Sequence, residues 1–275
     1  TLPPPPPPTP HDRTRRQRQM SIRDRMASIP RRVPSQAALQ NCKIISHRGE
    51  HDNIRVFENT LPAFDIARDN GVWGIECDIR WTADQVPVIC HDSTAERVFG
   101  VAATVQDLSF EELRARVPML PSLQELLERF AGHVHLMLEL KAEHFPDPVG
   151  QKQRLADLLR ALEPGRDYHL LALDPDLFRT FDIVDRSHCC PVAEENVADL
   201  LQTNLEHGYG GLGGHFLLLN QRVKGRLDTG GQQLGSGFIA SRNCLFRELN
   251  RGVEWIFSND AVKIQKIRDR YLDRA

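Results

Sequence analysis

Between residues 43 and 259, short runs rich in apolar and β-branched residues alternate with stretches whose apolar residues recur at helical spacing. The runs predict strands at Lys43–Gly49, Gly74–Thr82, His133–Lys141, Tyr168–Asp174, Cys189–Glu194, Gly214–Asn220, Gly237–Ser241 and Glu254–Asn259. Helical spacing falls between them at Thr60–Asn70, Leu123–Phe130, Gln151–Leu162, Pro175–Arg186, Val197–His207 and Cys244–Arg251, with a last helix at Ala261–Tyr271. A helix is also expected within Gln221–Leu234, where Gly225, Gly230 and Gly231 interrupt the pattern. Eight strands alternating with helices predict an α/β fold, a TIM (β/α)8 barrel; an open doubly wound sheet is the alternative. One run breaks the alternation. Val86–His91 follows the second strand after Ala83-Asp84-Gln85, which predicts an extra hairpin strand rather than a barrel strand.

Residues 1–40 read differently. They contain a six-proline run (Pro3 to Pro8), eight arginines and two aspartates, with few apolar residues. Such a segment buries too little surface to offset its ordering entropy, so it is expected to be a disordered Pro/Arg-rich tail, with the barrel domain at 41–275. The 230 residues from Lys43 to Leu272 are close to the roughly 250 of a TIM barrel. The tail carries +6 of a whole-chain charge of −2, which leaves −8 on residues 41–275 and argues against a nucleic-acid partner.

No run of 18 apolar residues is present, so no transmembrane segment is expected. The arginines of segment 13–32 are not followed by an apolar run of the kind a secretory signal needs. The six cysteines show no CxxC or zinc spacing and predict reduced, buried thiols, and with them a cytoplasmic location.

Candidate chemistry collects at predicted strand ends, where a TIM barrel places its active site. The first strand ends in His47-Arg48-Gly49, the second carries Glu76-Cys77-Asp78, the hairpin strand ends in His91-Asp92 and the third ends in Glu139-Leu140-Lys141. Alternation along a strand puts Glu76 and Asp78 on one face, and Glu139 with Lys141 on the matching face. Three converging carboxylates repel one another unless a cation neutralises them, and all-oxygen ligands favour Mg²⁺ or Ca²⁺. His47 and His91 are candidate acid and base, since imidazole titrates near neutral pH. Arg48 and Lys141 supply positive charge for a phosphate.

The motifs HRG (47–49), ENT (58–60), Leu61-Pro62-Ala63-Phe64 with Gly71, ExD (76–78), PVxxHD (87–92) and ELK (139–141) together resemble the glycerophosphodiester phosphodiesterase family. Gly252 to Asp260 looks like that family's last strand. The resemblance implies a metal-dependent hydrolase of a small-molecule phosphodiester, with His47 and His91 as acid and base and Glu76, Asp78 and Glu139 on the metal. Arg48 and Lys141 would contact phosphate, and Glu58 would brace the His47-Arg48 turn.

The second half departs from that pattern. Where the family shows WTVN, this chain has Ile239-Ala240-Ser241-Arg242-Asn243; where it shows SFD, this chain has Ala172-Leu173-Asp174. Substrates other than glycerophosphodiesters, such as lysophospholipid or sphingolipid head groups, therefore stay open, as does a catalytically silent binding barrel. Two further matches carry no function. Gly208–Gly213 fits GxGxxG but follows a helix instead of opening one. His135, in His133-Val134-His135, lies about 13 Å along the strand from Glu139, at the barrel's far end.

Overall fold

The computed structural model of the protein describes residues 27–272. Eight parallel strands close into a barrel: β1 (Lys43–His47), β2 (Gly74–Trp81), β4 (His135–Leu140), β5 (Tyr168–Ala172), β6 (Cys189–Ala193), β7 (Gly211–His215), β8 (Gln233–Gly237) and β9 (Trp255–Ser258). Closure comes from β1, which pairs in parallel with both β2 and β9. The open-sheet alternative is thereby ruled out. The strand β3 (Pro87–Ile89) turns back antiparallel on β2, with Ile79 opposite Ile89 and Trp81 opposite Pro87, as the sequence predicts. Pro87, which has no N–H to donate, sits on this edge strand.

The strand seams carry the apolar core in two layers. Residues such as Ile75, Cys77, Leu136, Leu138 and Leu170 face the surrounding helices, while Ile45, Met137, Leu171, Cys190 and Trp255 form a smaller cluster of their own. The second set alternates with the first along each strand, which places it inside the barrel. The free cysteines are buried, and Cys190 is pushed above the usual thiol range by burial.

Two strands differ from the sequence reading. The sixth barrel strand is Gly211–His215 rather than Gly214–Asn220, and the seventh is Gln233–Gly237 rather than Gly237–Ser241. Both true strands are glycine-rich, and the apolar residues that suggested strands, Phe216 to Leu219 and Phe238-Ile239, lie in the loops just beyond them. Close packing explains the glycines: a Cβ on Gly235 would sit 2.9 Å from the Phe257 ring. The helix between these strands does form, over Gln221–Thr229 with Asn220 as its cap.

Residues 1–26 of the expected tail lie outside the described residues. Residues 36–41 form a helix capped by Ser35, with Leu39 fully buried against the barrel. Asn243 and Asn250 donate to the Ala27 and Arg32 carbonyls, so the packed domain extends upstream of residue 41. A second addition is the stretch between β3 and the helix Leu123–Phe130. It holds the short helices Glu96–Phe99 and Phe110–Arg116 around a separate small core that includes Val88, Cys90, Val105 and Leu113. Ser109 and Ser122 each open a helix with a capping box. Among the described residues no helix is long and apolar enough to cross a membrane.

At the barrel's far end His135 lies flat against Trp73, and its Nδ1 is 2.9 Å from the Arg166 carbonyl oxygen. His135 Nε2 is 2.8 Å from His169 Nδ1. This is a packing role, as the position of His135 implies. Burial pulls His135 down to about 4 and His169, with the His135 charge adding, down to about 3. The unfolded chain, with histidines near 6.5, then takes up protons first as pH falls. Stability from this pair is fully present above about pH 6.5 and is lost as pH falls towards the folded values. Denaturant titrations at pH 7.5 and pH 5 should show a lower midpoint at pH 5. His169→Gln, which keeps a donor but does not titrate, should shrink that difference; an unchanged difference would rule the pair out as its source.

Candidate active site

The turn after β1 is built by packing and by one strained residue. Gly49 has φ +79°, and a Cβ there would lie 2.7 Å from the Ala63 Cβ, so the helix Leu61–Asp69 can seat on the turn only over glycine. Arg48 also has positive φ (60°), a strained conformation for a side chain of this size. Its N–H donates to both the Glu76 carbonyl (3.0 Å) and Glu76 Oε2 (3.1 Å). The backbone of β1 is thus tied directly to the carboxylate of β2.

Glu76, Asp78 and Glu139 are all buried, and they can present one oxygen each within 4.8 Å of one another. Burial, then the charges of Asp78 and Glu139, hold the Glu76 carboxyl well above the usual carboxylate range. Glu139 is also raised, by burial and Asp78. Burial pushes Asp78 the same way, but Lys141 and Arg48 outweigh it and lower this group. Lys141 Nζ lies 2.5 Å from Glu139 Oε1 and 3.2 Å from Asp78 Oδ1, and Arg48 Nε lies 3.4 Å from Asp78 Oδ2. Asn59, within the ENT run, donates to Asp78 Oδ2 at 2.8 Å.

Even so, Glu76 Oε1 is buried with no hydrogen-bond donor, and Asp78 Oδ1 is met only by the Lys141 ammonium. An unpaired buried carboxylate oxygen is costly. Together with an all-oxygen donor set, this fits a hard divalent cation at the trio.

Both histidines are held by Nδ1. His47 Nδ1 is 2.6 Å from Asn259 Oδ1, and His91 Nδ1 is 2.6 Å from Asp92 Oδ1. With the proton on Nδ1 in each case, as these acceptors require, Nε2 is the ring nitrogen left able to accept a proton. His47 Nε2 lies 3.8 Å from Glu76 Oε2, and its ring meets Phe238 edge-on at 5.4 Å. Burial, with Arg48 adding, pulls His47 down to about 4. Burial also lowers His91, against the opposing charge of Asp78. Arg80 Nε donates to the His91 carbonyl at 2.8 Å while pairing with Glu143, which fixes the end of β3.

Glu58 sits where the sequence reading expects a brace. It accepts from Arg48 (3.0 Å) and from Asn53 (2.7 Å). Arg97 binds it through both terminal nitrogens, at 2.6 and 3.2 Å. Burial alone would raise Glu58, but the Arg97 and Asn53 hydrogen bonds and the Arg48 charge bring it down to about 2. Arg97 Nε also donates to Asp92 Oδ2 at 2.5 Å. One guanidinium therefore joins the partner of His91 to the partner of Arg48. Sequence reasoning missed Arg97, and it missed roles for Asp92, Asn59 and Asn259. The last three adjoin or end the motifs already singled out; nothing in its spacing marks Arg97, which comes from the inserted helix Glu96–Phe99.

The profile of the glycerophosphoryl diester phosphodiesterase family matches residues 47–170, from His47 through all the clusters above. Through that region the chain is similar to the glycerophosphoryl diester phosphodiesterase family. Over 93 residues it is 42% identical to glycerophosphodiester phosphodiesterase 1 of Bos taurus, a stretch covering 31% of this chain and 27% of that protein. Over 89 residues it is 36% identical to a glycerophosphodiester phosphodiesterase of Caldanaerobacter subterraneus, covering 32% of this chain and 34% of that one. The chain thus spans about a quarter to a third of the length of these relatives. The fold of the family extends further. The crystal structure of a glycerophosphodiester phosphodiesterase from Thermotoga maritima superposes with TM-score 0.67 at 18% identity, covering 82% of this chain and 98% of that one. An Oleispira antarctica phosphodiesterase, in complex with the product sn-glycerol-3-phosphate, gives TM-score 0.69 at 18% identity, covering 84% and 99%.

A cation entering the trio must displace the proton that burial favours on Glu76. Calorimetric titration with Mg²⁺ or Ca²⁺ near neutral pH should therefore show proton release, read as a binding enthalpy that depends on the buffer. Affinity should weaken as pH falls, and Glu139→Gln should weaken it at least tenfold. Tight binding that survives Glu139→Gln would place the cation elsewhere.

Proposed function

We propose that the chain is a glycerophosphodiester phosphodiesterase that converts a glycerophosphodiester to an alcohol and glycerol 3-phosphate. The observation that carries this reading is the pair of anchored imidazoles, His47 and His91, beside a buried carboxylate trio with an unsatisfied oxygen. The trio Glu76, Asp78 and Glu139 would hold Mg²⁺ or Ca²⁺, which when bound neutralises phosphate oxygens and makes phosphorus easier to attack. Arg48 and Lys141 would hold the remaining phosphate charge. The product named for the Oleispira neighbour, sn-glycerol-3-phosphate, is the phosphomonoester this reading expects.

The partners of the two histidines divide their roles. Asn259 is a neutral amide and supports a neutral ring, which suits His47 to accept a proton from the attacking hydroxyl. Asp92 is a carboxylate and stabilises an imidazolium, which suits His91 to donate a proton to the leaving alkoxide. Arg48, fixed by Glu58 and by its own strained backbone, holds the phosphate so that both transfers occur at short range. The domain that carries this activity is proposed to run from the helix Gln36–Asn41 to the helix Ala261–Leu272.

Turnover of glycerophosphocholine and glycerophosphoethanolamine tests the proposal. The cation-loaded protein should be active, and chelation should abolish activity. His47→Ala and His91→Ala should each lower kcat by about 10²–10⁴-fold. Arg97→Leu, which leaves both histidines in place, should lower kcat at least tenfold and raise KM, because it releases Asp92 and Glu58 together. Full activity in His91→Ala, or after complete removal of metal, would overturn the mechanism. A folded protein inactive on both substrates with every cation tried would favour the silent barrel.

A further inference from the structure

His91 is held from two sides. Asp92, steadied by Arg97, fixes its ring, while a separate set of contacts reaches its backbone from β2 and β4. Neither residue that makes this second set, Arg80 or Glu143, belongs to the motifs that mark the site. Alternation puts Arg80 on the face of β2 that carries Glu76 and Asp78, at the barrel mouth. A free guanidinium there would draw a bound anion away from Arg48. Arg80 is turned aside instead. Its Nε donates to the His91 carbonyl at 2.8 Å, and its Nη1 meets Glu143 Oε2 at 2.7 Å. Glu143 Oε1 accepts from the Trp81 N–H at 2.9 Å, so both carboxylate oxygens are bound to β2. The Glu143 side chain is only 5% exposed, so Arg80 is a charge partner it needs. Burial raises Glu143, and the Arg80 charge is the largest influence opposing it.

Glu143 comes from the segment after β4, two residues beyond Lys141, and that segment has its own anchors. Phe145 packs edge-on against Phe181 at 5.1 Å, and Phe181 stacks on Trp81 at 6.1 Å. Gln106, in the stretch inserted after β3, donates to the His144 carbonyl at 2.8 Å. The backbone of His91 has little other support. The Cys90 N–H donates to the Asp78 carbonyl at 2.9 Å, and beyond Cys90 no backbone hydrogen bond among the described residues joins this segment to β2. Where the ladder stops, the Arg80 side chain takes its place.

We propose that Arg80 and Glu143 are positioning residues for His91, holding its backbone where the ring reaches the leaving oxygen. The inference rests on the phosphodiesterase reading, in which His91 gives that oxygen its proton. A displacement of about 1 Å at such a group is enough to cost on the order of 10²-fold in rate. Glu143 therefore acts on the reaction from outside the carboxylate trio, through one guanidinium and one carbonyl.

Two substrates separate this role from a general loss of structure. Choline departs as an alkoxide that needs a proton, whereas p-nitrophenol departs as a stable phenolate that needs none. In Glu143→Ala, kcat for glycerophosphocholine divided by kcat for the p-nitrophenyl ester of glycerol 3-phosphate should fall at least about tenfold. His91→Ala should move the same ratio in the same direction. The paired variant Arg80→Met, Glu143→Leu leaves neither charge without its partner, which keeps the test open if Glu143→Ala fails to fold. Its ratio should fall by the same factor as in the single variant, because both residues act through one contact. Equal losses on both substrates, or a ratio like that of the wild type, overturn the assignment. Histidine NMR gives a readout independent of turnover. The His91 ring signals, identified by their absence in His91→Ala, should shift or broaden in the paired variant while those of His47 stay in place. Unmoved His91 signals overturn the positioning role whatever the activity. A wild type inactive on both diesters, with His91 signals that do move, overturns the phosphodiesterase reading and supports the positioning of His91.

Discussion

Bringing three carboxyl groups within 4.8 Å of one another, out of water, is the constraint around which the rest of the molecule is arranged. Their mutual repulsion and their desolvation act in the same direction, against ionisation. The protein answers with Arg48 and Lys141 at the trio, and then has to hold those cations in place. Arg48 is held by an unfavourable backbone angle, by Glu58 and by the Glu76 carboxylate beneath its own N–H. Glu58 in turn needs Arg97 and Asn53 to stay ionised while buried. Each buried charge thus requires the next, until the chain of partners reaches the surface at Arg97.

The same constraint separates the two halves of the barrel. Strands β1, β2 and β4 contribute charge and are tied across the site by hydrogen bonds. Strands β7 and β8 contribute glycine backbone, with apolar side chains in the loops beyond. On the proposed reading, the polar half would deal with the group that is alike in every phosphodiester. The apolar half would then face whatever is attached to it, and it is there that the chain departs from the family's motifs.

The legibility of the sequence follows this division. The polar half was readable because strand alternation fixes which of Glu76, Cys77 and Asp78 share a face, and the register between β2 and β4 sets Asp78 directly beside Glu139. The hairpin was readable because Val86–His91 follows too closely on β2 to be a crossover strand. Strands β7 and β8 were misplaced by three or four residues because glycine carries no hydrophobic signal. Phe216 and Leu219 look like strand residues but lie in a loop that folds them into the main core. The helix Gln36–Asn41 was hidden by the proline and arginine around it. Arg97 was invisible for a different reason: its partners lie 5 and 39 residues away, and only the folded insertion brings them within reach.

That insertion has its own small core, separate from the barrel's. Such a lobe can open as a cooperative unit at a lower free energy than global unfolding. His91 stands at its edge, two residues beyond the short strand β3, and Arg97 lies within it. A brief opening of the lobe would withdraw His91 and release Arg97 from Glu58 together, while the barrel and its carboxylates stayed folded. The geometry around His91 would then be bounded in temperature by the local stability of about thirty inserted residues, and the barrel could stay folded after that geometry is lost.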